Sequence, residues 1–222
     1  TQHQVTGKPM HPPYLDHREY PMKKNTDWPS VVPFGTAQTE IRDGDLLLFR
    51  GRGLIAVAGR GPYTHAAMAA WWGDDLFCLE LRELTGGRAV MLSREVERLP
   101  ERVDVFEANP SERWPEFDRN GAVRFMRRLT GCEYGWLHLL GAALLHLPIL
   151  RLFARAETDD ESIGKHPPFC SQAVAMATRI GGHVDAVEHL ADRLTEPCDL
   201  ARSPFYRYRF TLGSGLSPSP TV

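Results

Sequence analysis

The chain has 222 residues, 42% of them hydrophobic, which suffices for one sizeable core and is too short for two generous domains with a linker. Its 26 basic and 28 acidic residues leave a formal charge of -2, so no global field draws it toward nucleic acid or an anionic membrane surface. Four cysteines, Cys78, Cys132, Cys170 and Cys198, lie far apart without the close spacing of a zinc knuckle or redox dithiol, and a core of this size folds without covalent staples, so a reduced state is expected.

Residues 1–40 are polar and punctuated by proline, and read as an extended arm ahead of the domain proper. They hold no apolar run suited to a secretory signal, and no stretch of the chain suits a membrane span, which leaves the location open with the cytoplasm slightly favoured. The domain is expected over residues 41–212. Asp43-Gly44-Asp45 is a turn signal before Leu46-Leu47-Leu48-Phe49, a continuous apolar run suited to a buried strand. A second turn, Gly61-Pro62-Tyr63, leads into residues 64–72. Their alanines make propensity ambiguous, but Gly73-Asp74-Asp75 reads as a hairpin turn and residues 76–81 as the returning strand. Strands are also expected over residues 88–92 and 103–106. The period then changes: Trp114, Phe117, Val123, Phe125, Met126 and Leu129 suit one or two amphipathic helices ending near Gly131. Residues 136–153, bounded by Trp136 and Phe153, form the most apolar segment, read as helix. An exposed loop over 157–166 follows, then a helix over residues 169–180 closed by Gly181-Gly182, a strand near 205–212, and a Gly/Ser/Pro-rich tail over 213–222 that reads as disordered.

Three positions in this outline suit thiol chemistry. A cysteine is nucleophilic as thiolate, and the first turn of a helix favours that charge through its unpaired N–H groups. Cys170 stands there, because Pro167-Pro168 cannot be helix interior whereas Ser171-Gln172-Ala173-Val174-Ala175-Met176-Ala177 can. A thiolate needs a base and a third group that orients it. His65 opens a strand directly after a turn, and Glu80 lies on the strand that returns beside it, within cross-strand reach. Glu83 competes with Glu80. Leu79 and Leu81 flank Glu80 in an alternating pattern that aims it at one face, whereas Glu83 lies in the approach to a turn. Taken singly, each position has an ordinary structural alternative: a buried cysteine, an edge histidine, a solvated carboxylate.

Taken in order, Asp43-Gly44-Asp45 with its apolar strand, Pro62-Tyr63-Thr64-His65, Leu79-Glu80-Leu81 and Phe169-Cys170-Ser171-Gln172 resemble the circularly permuted NlpC-like hydrolases of the papain fold, a group that includes YiiX-like bacterial proteins and is related to lecithin:retinol acyltransferase. Tyr134-Gly135-Trp136 is similar to that family's Tyr-Asp-aromatic helix opening, with glycine for the usual aspartate. Pro197-Cys198-Asp199-Leu200 is similar to its Pro-Gly-Asp-Leu, and Phe169 stands where a tyrosine is common. The resemblance spans residues 41–212. It implies an α+β, permuted papain-like fold, an antiparallel sheet or small barrel with helices on one side. It further implies Cys170 as nucleophile, His65 as base and Glu80 as its orienting partner, with one oxyanion donor at the start of the Cys170 helix and no cofactor or metal.

The implied chemistry is hydrolysis of an amide in a peptide, including the peptide stems of the bacterial cell wall, through an acyl-enzyme. Two alternatives stand beside it: a lipid acyltransferase or thioesterase, favoured if residues 136–153 line an acyl groove or contact lipid, and a non-catalytic module on the same fold. His138 and His146, eight residues apart, lack carboxylates at ligand spacing, and His183 and His189 lack a third ligand, so no metal site is expected.

Overall fold

The computed structural model describes residues 30–51, 61–82, 85–131 and 169–215. At its centre is the strand β2 (Leu46–Arg50), whose apolar residues are buried on both sides: Leu46 and Leu48 join one hydrophobic cluster, Leu47 and Phe49 another. A strand covered on both faces has no polar side, which is why this run does not alternate. β3 (Tyr63–Trp72) and β4 (Asp75–Arg82) form the expected hairpin across Gly73, whose backbone takes φ +63°. The alanines that made β3 ambiguous lie on both of its faces, Ala66 and Ala70 in the first cluster and Ala67 and Ala69 in the second, and their small size lets layers on either side come close. Pairing with two neighbours overrides their helix preference.

The remaining strands are β1 (Val31–Pro33), β5 (Gly86–Met91), β6 (Val103–Ala108) and β7 (Tyr206–Gly213), and they complete a seven-stranded sheet in the order β1-β7-β6-β2-β3-β4-β5. Every neighbouring pair is antiparallel except β1 with β7. Among the described residues the sheet is open, with β1 and β5 at its two edges, rather than the small barrel offered as an alternative from the sequence.

Helices cover both faces, which corrects the expectation of helices on one side. The first cluster packs α3 (Arg119–Leu129), α4 (Cys170–Met176) and α5 (Pro197–Arg202) on the sheet; the second packs α1 (Phe34–Ala37) and α2 (Leu92–Arg98). Residues 31–40, read from the sequence as arm, supply β1, α1 and a single 3-10 turn, so the folded unit starts about ten residues before residue 41. At the other end Gly213 belongs to β7 and Gly215 accepts a hydrogen bond from Gly35 N–H, so the first residues of the expected tail are structured. α4 runs on into a π turn (Ala177–Gly181) that crosses α3 at backbone distance, since a Cβ on Gly121 would lie 2.0 Å from the Gly181 carbonyl oxygen.

One carboxylate ties the start of β2 to its surroundings. Asp45 accepts from Arg42 N–H at 2.9 Å, Ala108 N–H at 3.1 Å and Arg119 Nη1 at 2.9 Å, while Arg119 also donates to the Asp43 and Ala108 carbonyls. Burial lifts the Asp45 carboxyl above its ordinary value against the pull of those donors. Asp45→Ala strands a largely buried guanidinium and two amides and is expected to cost about 3 kcal/mol in urea unfolding with an unchanged m-value; Asp45→Asn, which keeps the shape and sheds the costly charge, is expected to lose less.

Candidate active site

The site lies where two strands part. The β3–β4 ladder runs from Trp72–Asp75 to Met68–Leu79 and stops there, although β3 continues to Tyr63 beside β2 and β4 to Arg82 beside β5. Ala69 donates its N–H toward β2, to the Asp45 carbonyl, so the even-numbered residues of β3 donate toward β4. Beyond Met68 the next such amide, Ala66 N–H, has no ladder partner. It donates to the sulfur of Cys170 instead.

Cys170 reaches this opening as the first residue of α4. Phe169 caps the helix with extended backbone at φ -72°, ψ 169°; its N–H donates to Gln172 Oε1 at 3.3 Å and its carbonyl accepts from Ala173 N–H at 2.7 Å. Ser171, the next residue, donates its hydroxyl to the Thr195 carbonyl at 2.6 Å, and its N–H also points at the sulfur. Two backbone amides therefore converge on the thiol from different elements.

His65 and Glu80 meet as the hairpin pattern suggested. His65 Nε2 lies 2.6 Å from Glu80 Oε2, with the His65 side chain 15% exposed and Glu80 fully buried. The other side of the imidazole bonds Cys170, which leaves Nδ1 for the sulfur. Phe49 packs against the ring at a centroid distance of 5.1 Å and limits its rotation. Just before His65 the ladder slips one residue against β2: Phe49 faces His65 and Arg50 faces Tyr63, with Thr64 as the extra residue. Tyr63 thereby turns to the opposite face, where its hydroxyl donates to Asp104 Oδ2 at 2.8 Å; Arg50 and Thr211 hold Oδ1 of the same carboxylate. The strand is thus anchored immediately ahead of the histidine.

The electrostatics follow from this packing. Burial alone would raise the Cys170 thiol, but the His65 charge, its hydrogen bond and the amides of Ala66 and Ser171 outweigh burial and bring the thiol below its ordinary value. His65 is pushed down by burial and raised above its ordinary value by Cys170 first and Glu80 second. Burial would also raise Glu80, yet contact with His65, Arg82 and Arg88 brings it down to about 2. A thiolate beside an imidazolium is the state these shifts favour. Cys78 and Cys198 behave oppositely, both raised by burial.

Cys170, His65 and Glu80 are therefore brought together, whereas Glu83 and residues 132–168, with Cys132, His138, His146, His166 and the apolar segment from Trp136 to Phe153, lie outside the described residues. Cys198 sits at the start of α5 with its sulfur 3.8 Å from the Tyr63 carbonyl, against Gly61, so the Pro197-Cys198-Asp199-Leu200 motif supports the turn that leads to His65. His183 is exposed at φ +64°, and among the described residues no group of three His, Cys, Asp or Glu side chains is placed to hold a metal ion. Nor, among them, is any helix long and apolar enough to cross a membrane. Sequence reasoning missed Arg82 and Arg88, which hold the second oxygen of Glu80, and the Ala66 amide. Arg82 carried a usable signal, since at two residues from Glu80 it shares that face of β4.

No protein-family model and no curated protein matches the chain. Among solved structures, the crystal structure of the metalloprotein YiiX from Escherichia coli O157:H7 is similar with a TM-score of 0.44 and 13% identity, over 77% of this chain and 89% of that one.

The site makes a direct prediction about thiol reactivity. At mildly acidic pH, iodoacetamide is expected to modify Cys170 at least about tenfold faster than Cys78, Cys132 or Cys198, followed by mass spectrometry. His65→Ala removes the cation that holds the thiolate and is expected to move the Cys170 midpoint upward; equal reactivity at all four positions would count against an ion pair.

Proposed function

We propose that the chain is a cysteine hydrolase of the circularly permuted NlpC type that cleaves an amide bond in a peptide through an acyl-enzyme. The hydrogen-bonded series Cys170–His65–Glu80, with its thiol at a helix start and its carboxylate fully buried, is the observation that carries this reading. The motif order described above supports the fold and the choice of an amide.

In this mechanism the Cys170 thiolate attacks the carbonyl carbon and the carbonyl π electrons move to oxygen. The N–H of Cys170 itself, one of the first amides of α4 and so without an intrahelical partner, is the oxyanion donor the reading assigns. His65, as imidazolium, gives its Nδ1 proton to the departing amine, the C–N bond breaks and the acyl group stays on sulfur. Water then attacks the thioester with His65 accepting its proton, and the thiolate leaves. Glu80 holds Nε2–H throughout, which keeps the tautomer and offsets the imidazolium charge.

Turnover requires thiolate and imidazolium together. It is expected to rise as pH passes the lowered value of Cys170 and to fall as His65 loses its proton on the alkaline side, above that histidine's ordinary range. With an activated peptide ester as probe, an acyl adduct on Cys170 is expected by mass spectrometry and is absent from Cys170→Ala. His65→Ala is expected to slow acylation by about 10²–10⁴-fold, as removal of a general acid–base does, with Glu80→Gln between the two. Undiminished acylation in Cys170→Ala or His65→Ala would sink the proposal.

A further inference from the structure

Glu80 has two oxygens, and the one turned away from His65 is committed elsewhere. Oε1 accepts from Arg82 Nε at 2.8 Å and Arg88 Nε at 2.7 Å. Both guanidiniums continue to a second carboxylate, Glu95 on α2: Arg82 Nη2 lies 3.1 Å from Oε2 and Arg88 Nη2 3.5 Å from Oε1, and Arg98 closes on Glu95 from the same helix. Glu95 is nearly as buried as Glu80, with its side chain 5% exposed, while Arg82 and Arg88 are 28% and 33% exposed. The result is a run of alternating charge from the thiol outward: Cys170, His65, Glu80, the two arginines, Glu95, Arg98.

We propose that Glu95 is a positioning residue for the site, which through Arg82 and Arg88 sets how tightly His65 holds its proton. The inference rests on the reading of Cys170 and His65 as the reacting pair. Its physical basis is Coulombic. Glu80 alone faces three cations, His65 and two guanidiniums, and the positive charge of the guanidiniums repels the imidazolium and offsets part of its attraction to Glu80. Glu95 supplies the second negative charge that the arginines need, so Glu80 is left to face the imidazolium. Among the described residues, the groups that face this run are Cys170 from α4, Glu80 and Arg82 from β4, Arg88 from β5, Glu95 and Arg98 from α2, the uncharged ring of Phe49 from β2, and the buried thiol of Cys78 behind Glu80, which its surroundings keep protonated. β5 and α2 thereby gain a role beyond packing.

The sign of each charge makes the idea testable. Removing Glu95's charge makes the field at His65 more positive and weakens its hold on a proton; removing Arg88's charge does the opposite. Cys170 moves in the same direction as His65 in each case, but less, because it stands one step farther from the arginines. The experiment is a pH titration of the His65 imidazole by NMR in the full chain, with Cys170 alkylation followed in parallel, for wild type, Glu95→Gln, Arg88→Met and Arg88→Lys. Glu95→Gln is expected to lower the His65 midpoint and Arg88→Met to raise it, each by about half a pH unit or more, while Arg88→Lys, which keeps the charge and loses the fork, stays near wild type. A merely structural role predicts shifts of one sign in both charge-removing variants, and that result, or no shift in either, overturns the proposal. If wild-type His65 and Cys170 titrate as ordinary independent groups, the reacting pair itself is wrong and this inference falls with it; if the wild-type pair is perturbed and only the opposite shifts are missing, the inference alone fails.

Discussion

The site depends on hydrogen bonds that two strands do not make with each other. A backbone amide inside a sheet must be satisfied, and leaving one bare costs about 1–3 kcal/mol. Beyond Met68 and Leu79, β3 and β4 stop pairing while each stays bonded to its outer neighbour. The sheet therefore opens without unravelling, and Ala66 N–H is free to meet something other than a strand. The Cys170 sulfur takes that place, and accepts more strongly as thiolate than as thiol. Structural demand and chemical activation coincide: the group that fills the gap is the one whose charge the gap stabilises.

The same opening explains how residues from opposite layers touch. His65 keeps company with Phe49 in the cluster beneath α1 and α2, whereas α4 packs in the other cluster. In a closed sheet the backbone would stand between them. Helix cover on both faces is what makes the interior dry enough for the charges to matter, and dryness in turn demands that each charge be paired. Glu80, whose side chain is fully buried, is held by one histidine and two arginines. The arginines are only part-buried, and keep some contact with water while serving a carboxylate that has none.

Much of this was legible in the sequence, where local signals and tertiary requirements agreed. The turn at Asp43-Gly44-Asp45, the hairpin around Gly73, the alternation Leu79-Glu80-Leu81 and the double proline before Cys170 each state a local geometry, and together they bring His65 to Glu80 and place Cys170 at a helix start. What failed to show was non-local or short. β1 joins the sheet by parallel pairing with β7, nearly the whole chain away, and a three-residue strand has no periodicity to detect. α2 begins at Leu92, which reads equally well as the last residue of the preceding strand, and α5, only six residues long from Pro197, is too short to show a helical period. Helix cover on both faces was hidden because alanines on β3 look like neither a polar nor an apolar side. The arginine–glutamate layer needs three elements, β4, β5 and α2, in their folded positions before any pattern exists.

The division of labour within the sheet follows from these constraints. Strands on the β6 and β7 side hold polar groups that anchor backbone: Asp104 gathers Arg50, Tyr63 and Thr211 and thereby fixes the strand just ahead of His65. Strands on the β4 and β5 side hold polar groups that gather charge at the site, since Glu80 bonds the imidazole and Arg82 and Arg88 bond the other oxygen of Glu80. β3 lies between the two and is the one strand that must be both anchored and left open. Its slip at Thr64 meets both demands, sending Tyr63 to the anchoring carboxylate on one face while His65 stays on the other. A regular strand would put both side chains on one face, where the tyrosine would crowd the imidazole and the Asp104 carboxylate would lose a donor.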